Sequence, residues 1–308
     1  MATLLDMIDE VSMNLSGYTL QQDRATHITA NVAATASTIA APITLSLAST
    51  DSVGKGIVEI DEELFYVDNY DRVGNTATIA PYGRAYLGTT LAAHTAGTKV
   101  TIAPTFPRFT IKRAINDTIS AIGSSIFAAN TTTITSNSAV SAFRLPTTGT
   151  TLNIRNILAI AYQALGSSKE WIPIRSYRFD GNANSTAFTS GQTVSIYDYI
   201  PSGRSVQVVY ATDPTPFTTN AQEFATQTGL PESCKDLIIL GATYRLLSNL
   251  DPARASMVSP QADETDSKRP YGSSQSLTKQ VYALFNQRLN EEVKSQQEKY
   301  PIRVHYSL

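Results

Sequence analysis

The stretch Leu230-Pro231-Glu232-Ser233-Cys234-Lys235-Asp236-Leu237-Ile238-Ile239-Leu240-Gly241-Ala242-Thr243-Tyr244-Arg245-Leu246-Leu247-Ser248-Asn249-Leu250 decides how the chain is read. Pro231 is pre-shaped for a first helical position, and Glu232 sets an acid beside the positive helix end. Leu237, Ile238, Leu240, Ala242, Tyr244, Leu246, Leu247 and Leu250 then cover most of the circumference. A helix apolar nearly all round is one buried among others. A second helix is predicted from Ser276 to Lys299. Leu277, Val281, Phe285, Leu289 and Val293 recur every fourth residue, Leu284 widens the stripe, and Asn290, Glu291, Lys294 and Glu298 take the wet face. Pro301 stops this helix, because the residue before a proline avoids helical angles. The tail that follows, Ile302-Arg303-Val304-His305-Tyr306, alternates apolar and polar in the manner of a strand.

Composition narrows the class. With 308 residues there is room for two or three compact units. Charged residues make up 16%, well below the usual quarter. A net charge of -2 supplies no general basic field for holding nucleic acid. The lone Cys234 excludes an internal disulfide and a cysteine-built metal site, and reads as a small apolar filler. The first fifteen residues carry Asp6, Asp9 and Glu10 without Lys or Arg, against the pattern of a secretory signal. The longest apolar run is broken by Arg245 and too short to span a bilayer. These features suggest a soluble, disulfide-free protein made inside the cell, with no membrane partner.

Earlier in the chain the period alternates between helix and strand. Leu4, Ile8, Val11 and Leu15, widened by Leu5, predict a helix from Thr3 to about Asn14 that Gly17 ends. From Tyr18 to Ala103 the period is two: Ile57 to Ile60 and Leu64 to Val67 flank the acidic turn Asp61-Glu62-Glu63, with Thr76 to Ile79 and Thr98 to Ile102 following. Ile111, Ile115, Ile119 and Ile122 form the stripe of a helix beginning near Thr105, with Gly123 at its end. A second β stretch offers strands at Thr131 to Thr135, Ser141 to Leu145, Ile154 to Gln163, Trp171 to Phe179, Thr193 to Tyr197 and Val206 to Ala211. The fold class that follows is α+β, a four-helix core bundle with two β insertions. Residues 1–17, 104–123 and 230–300 build the helical core, 18–103 a small β unit, 124–229 a β-sandwich or barrel-like domain, and 301–308 a docking tail.

No catalytic motif is present, and the reading is of a non-enzyme with no catalytic residue, cofactor or metal. His27, His94 and His305 are scattered through a strand, a turn and the tail. Asp180-Gly181-Asn182-Ala183-Asn184 begins like a calcium loop, but Ser185 and Gly191 stand where its glycine and final acid belong, so it reads as a hairpin turn. Asp61, Glu62 and Glu63 read as a solvated hairpin tip. Trp171, Tyr177 and Phe179 on neighbouring strands read as core or interface packing, with a sugar-stacking platform as the alternative. The mixed-charge run Asp263 to Pro270 reads as a solvated loop, or as a salt-dependent contact between subunits.

One phrase carries a resemblance. Gly83-Arg84-Ala85-Tyr86-Leu87-Gly88-Thr89-Thr90-Leu91-Ala92-Ala93-His94-Thr95-Ala96-Gly97-Thr98-Lys99-Val100 resembles a recurring phrase in structural proteins of tailed bacteriophages. Physically it is a β excursion punctuated by Gly83, Gly88 and Gly97, with His94 tethering the loop. The helical layout, with Asp251-Pro252-Ala253-Arg254 after the penultimate helix and Tyr300-Pro301 after the last, resembles the head–tail connector (adaptor) proteins of the same phages. That resemblance implies a structural virion protein in the neck of the particle, assembled as a homo-oligomeric, dodecameric ring through which genome DNA passes without specific contact. It implies a portal-docking tail, Ile302, Arg303, Val304, His305 and Tyr306, and a ring or bundle interface formed by Leu277, Val281, Leu284, Phe285, Leu289 and Val293. Partners would be the portal protein and the downstream neck or tail protein, with fibre or capsid contacts through the β insertions. The low net charge suits a DNA conduit, since a strongly basic lumen would hold the genome back. The alternatives are a tail or baseplate protein, or a carbohydrate-binding or depolymerising virion protein using Asp180 or Asp198.

Overall fold

The computed structural model of the chain describes residues 2–19, 23–137, 140–145, 154–165, 169–248 and 273–301. Among them the chain is α+β, with five α-helices and thirteen strands. It divides into two compact units, one of Leu5–Ile115 with Ile239–Tyr282, the other of Met1–Leu4, Asn116–Ile238 and Ala283–Leu308.

α1 (Leu4–Thr19) lies in the first unit from Leu5 onward. Its stripe is Leu4, Met7, Ile8, Val11 and Leu15, all essentially fully buried, whereas Leu5 is 42% exposed and does not widen it. Gly17 does not stop the helix. It lies on the exposed side with open space around it, and a helical glycine there costs only about 1 kcal/mol.

Six strands follow: β1 (Arg24–His27), β2 (Thr44–Ser46), β3 (Gly56–Ile60), β4 (Glu63–Asp71), β5 (Thr76–Ile79) and β6 (Lys99–Ile102). They form one antiparallel sheet in the order β1-β6-β3-β4-β5-β2. The sheet curls until its two edges meet, where Ile28 bridges to Leu47. Ile28, Leu45, Val58, Ile60, Phe65, Val67, Ile79 and Val100 point into the curl and make its core. The alternation of period two selects these residues, because each strand sends every second side chain inward. From this unit α2 (Arg108–Ile122) leaves with Ile111, Ile115, Ile119 and Ile122 buried.

The second unit holds two sheets. β7 (Ala128–Thr135), β9 (Ile154–Gln163), β10 (Trp171–Pro173) and β13 (Ser205–Thr212) form one, in the order β10-β9-β13-β7. β8 (Ala142–Arg144), β11 (Tyr177–Asp180) and β12 (Thr193–Ile196) form the other, in the order β11-β12-β8. Ile134, Ile157, Ile160, Val206 and Val208 from the first sheet share one core with Val194 and Ile196 from the second, so the unit is a sandwich. The strand expected from Trp171 to Phe179 is two strands on different sheets. Pro173 removes a ladder donor, and the chain crosses between the layers at Ile174 to Ser176.

The remaining helices are α3 (Phe224–Thr228), which the sequence reading did not contain, α4 (Lys235–Ser248) and α5 (Ser273–Lys299). Pro231 precedes a single 3-10 turn, Glu232–Cys234, that feeds α4. In α4, Leu237, Ile238, Ile239, Ala242, Leu246 and Leu247 are buried, in keeping with its all-round apolarity. The boundaries between the units fall inside α1, α2, α4 and α5. Among the described residues no helix is long and apolar enough to cross a membrane.

Candidate functional site

The stretch from Gly83 to Val100 folds around a buried carboxylate. Glu63 opens β4, directly after the two-residue turn Asp61-Glu62 that joins it to β3. Its pairing with Ile60 turns its side chain to the inside of the loop formed by residues 83–97. There Arg84 meets it in parallel, Nε donating to Oε1 at 2.7 Å and Nη2 to Oε2 at 2.9 Å. The remaining guanidinium hydrogens go to the carbonyls of Ala33 (2.8 Å), Thr35 (3.1 Å) and Ala92 (2.6 Å). All five Arg84 donors are therefore used, and its guanidinium carbon lies 4.6 Å from the Phe65 ring centre. Glu63 also accepts the backbone N–H groups of Ala85 and Ala92, each at 3.0 Å.

His94 completes the cluster. Its Nδ1 is 2.8 Å from Asp61 Oδ2 and its Nε2 is 3.0 Å from Glu63 Oε2. Both ring nitrogens face carboxylate oxygens, which suits an imidazolium donating twice. Burial pulls the His94 pKa down, but the hydrogen bonds to Glu63 and Asp61 outweigh it and leave the pKa raised. Burial likewise pushes Glu63 up, and the hydrogen bonds from Arg84, His94, Ala92 and Ala85 bring it down to about 2. A bidentate, fully hydrogen-bonded pair of this kind does no acid–base work near neutral pH. It is a lock that holds residues 83–97 in one shape.

The lock stabilises an otherwise unfavourable backbone. Tyr82, Ala85 and Leu87 hold positive φ values of 59°, 49° and 55°, a region that side-chain-bearing residues seldom occupy. Gly83 is required for contact: a Cβ there would lie 2.8 Å from the Tyr66 carbonyl oxygen and 2.9 Å from that of Ala80. On the outside of the loop, Tyr82 is 74% and Leu87 66% exposed. The apolar tips are thus presented by a braced segment.

The acidic turn is consequently not a solvated tip. Glu63 is buried, Glu62 pairs with Lys112 of α2 at 3.0 Å, and only Asp61 stays wet. Nearby, Glu59 of β3 accepts the backbone N–H of Arg108, the first residue of α2, and burial raises its carboxyl to about 7. Sequence reading missed Glu63, Arg84 and Glu59, because the partners lie 21 and 49 residues apart.

A second polar cluster joins the start of α4 to α5. Arg288 donates to Asp236 at 2.7 Å, to Glu292 at 2.7 Å, to Glu291 at 3.2 Å and to the Ser233 carbonyl at 2.9 Å. Buried Cys234 points its thiol at Glu292, 3.5 Å away, and burial with that carboxylate pushes the thiol up to about 12. Such a thiol stays protonated and acts as the filler its setting predicted.

The predicted interface stripe on α5 is uneven. Val281 and Phe285 are buried, Leu277, Leu289 and Val293 are half-buried, and Leu284 is 46% exposed. The docking residues Ile302, Arg303, Val304, His305 and Tyr306 lie outside the described residues, as does the Asp263 to Pro270 run. Trp171 sits in one sheet of the sandwich and Tyr177 and Phe179 in the other, so the three are not on neighbouring strands. The latter two pack on the core, while Trp171 is 40% exposed. β11 and β12 set Asp180 and Asp198 at opposite ends of their hairpin, with Asp198 accepting the N–H groups of Arg175 and Ser176. Along the strands that is roughly 15 Å, against the 5–10 Å of a glycosidase pair. Asp180 and Asn184 each accept the N–H two residues on, the hydrogen bonding of plain turns. Among the described residues no group of three or more His, Cys, Asp or Glu is arranged to hold a metal ion.

No family model matches the chain, and a search of curated proteins finds no match to it.

Proposed function

We propose that the protein is a structural virion component that forms a ring at the head–tail junction of a tailed phage. It would connect the portal to the next neck component and let genome DNA pass. The observation that carries this reading is the Gly83 to Val100 phrase, held as one piece around Glu63. Within that phrase, Gly83, Arg84 and His94 take part in the lock around Glu63. A braced loop with exposed Tyr82 and Leu87 suits a part that transmits load between neighbours.

In this reading α1, α2, α4 and α5 supply the helical core of the ring, and the curled sheet and the sandwich are its insertions. Leu284 and Tyr282, 46% and 48% exposed, together with the half-buried Leu277, Leu289 and Val293, supply contacts between subunits. The tail from Ile302 onward docks on the portal. Repetition around a ring multiplies modest contacts into a stable joint.

The test is capture of purified portal protein by the full chain and by a chain ending at Pro301. The truncated chain should fold and lose portal. Equal capture by both chains overturns the docking assignment.

A further inference from the structure

Sheet edges are normally blunted against pairing with other chains. Among the described residues most edges of this protein are. The curled sheet closes on itself at Ile28 and Leu47, β8 and β10 have three residues each, and β11 carries Arg178 and Asp180. β7 has no such protection. It is eight residues, Ala-Ala-Asn-Thr-Thr-Thr-Ile-Thr, with no charge and no proline. Among the described residues no strand pairs with its outer side.

The hydrogen-bond pattern tells which backbone groups face out. The Ser136 N–H donates to the Arg204 carbonyl at 2.8 Å, just beyond the end of the β7–β13 ladder. In an antiparallel pair, bonded and non-bonded positions alternate. Ile134, Thr132, Asn130 and Ala128 therefore bond inward to β13. Thr135, Thr133, Thr131, Ala129 and Phe127 send their N–H and C=O groups outward. Phe127 bears this out, since its N–H donates to Gln296 Oε1 at 3.1 Å and its carbonyl accepts from Gln296 Nε2 at 2.6 Å. The amide side chain of α5 thus fills the first outward slot as another strand would. Among the described residues the outward groups of Ala129, Thr131, Thr133 and Thr135 have no such partner, and the three threonines are exposed.

These open slots are complementary to themselves. They are spaced by two and lie symmetrically about Thr132. A second β7 laid antiparallel, Thr132 against Thr132, sets Thr131 opposite Thr133 and Ala129 opposite Thr135, each pairing occurring twice. Every one of these is a bonded pair exchanging two hydrogen bonds, so no open slot is left over. Other registers do worse. A shift of two residues one way calls on Phe127, which Gln296 already fills, and the other way sets Ala129 opposite Asn137, outside β7. A shift of one residue sets outward groups against inward ones. Within the favoured register the facing side chains are threonines on one exposed face, a favourable cross-strand pair, and no charge repels another.

We propose that two copies of the chain pair through β7, antiparallel about a twofold axis at Thr132, joining their β10-β9-β13-β7 sheets into one. The contact is isologous, unlike the contacts around a ring, and it does not depend on the adaptor reading. One strand edge is narrow beside the roughly 800 Å² per partner of a standard interface, so the dimer should be weak, dissociating at micromolar concentration or above.

The test is sedimentation equilibrium from micromolar to millimolar protein, with residue-resolved amide exchange by NMR. The parent chain should dimerise, and the amides of Ala129, Thr131, Thr133 and Thr135 should exchange about tenfold slower or more in the dimer. A chain with Thr131→Lys and Thr133→Lys sets like charges directly opposite across the axis and should stay monomeric, as should one with Thr131→Glu and Thr133→Glu. Mixed in equal amounts, the two should form heterodimers. Protected amides at Asn130, Thr132 and Ile134 in both variants report an intact sheet. A parent that stays monomeric to millimolar concentration overturns the proposal, as do variants that dimerise like the parent or a mixture that does not associate. A parent that self-associates while the outward amides still exchange fast pairs through another face. That result also overturns the proposal and leaves the adaptor reading standing.

Discussion

Arg84 and Glu63, twenty-one residues apart in the chain, are joined by two parallel hydrogen bonds with both side chains 1% exposed. The pair is a buried charge couple, and such couples are worth most as determinants of shape. Their Coulomb gain is offset by desolvation, but losing one partner leaves the other uncompensated.

Glu63→Gln keeps the side-chain shape and removes the charge opposite Arg84 and His94. We expect it to lower the stability of the first unit by about 3–5 kcal/mol, read as a shift of the urea midpoint. A loss under about 1 kcal/mol, the level of an exposed pair, contradicts the lock.

The pH dependence should have a maximum on the acid side of neutral. Glu63 is depressed from 4.5 to about 2, so its contribution is present above 4.5 and lost as pH falls toward 2. His94 is raised from 6.5, so its contribution is full below 6.5 and lost as pH rises through the raised value. Glu59, raised from 4.5 to about 7, likewise contributes below 4.5 and loses that contribution as pH rises through about 7. Urea midpoints should therefore peak between these windows, and Glu59→Gln, which mimics the neutral acid, should flatten the loss between pH 4.5 and about 7. Midpoints that climb steadily from pH 4 to pH 8 contradict the assignment.

Gly83→Ala should destabilise by roughly 1–3 kcal/mol, because its new methyl meets two backbone carbonyl oxygens that cannot move aside. Gly88→Ala separates this effect from conformation. That site has open space but a φ of 81°, so its cost is backbone strain alone. Thermal unfolding of the two variants checks the distinction, and a Gly83→Ala protein as stable as the parent refutes the close packing.

In the second unit, Arg288→Ala removes four hydrogen bonds at once and leaves buried Glu292 without its guanidinium partner. A loss of roughly 1.5–3 kcal/mol is expected from these charge-assisted bonds. Arg288→Lys should recover little of it, because an ammonium cannot reproduce the planar fork. Full recovery by lysine shows that charge alone was needed.

What could be read from sequence follows the range of each interaction. The stripes of α1 and α2 depend on neighbours three and four residues apart, and the residues expected to lie inside do so at Ile8, Val11, Ile111 and Ile115. The strands of the curled sheet were visible for the same reason, through alternation at Val58, Ile60, Phe65 and Val67. The lock was not visible. Glu63 stands in an acidic run that looks wet from its local sequence, and nothing nearby reveals that Arg84 and His94 return to it. Length misled at Trp171 to Phe179, where Pro173 divides a β-rich run between two sheets. Leu5 is apolar yet faces outward, because Met7 fills the stripe position three residues after Leu4.

The measurement that tests the proposed function most directly is the position of the protein in fractionated phage particles, probed with an antibody on intact virions, DNA-filled heads and free tails. Presence at the single vertex of filled heads is the predicted result. Presence only on free tails, or absence from every fraction, contradicts it.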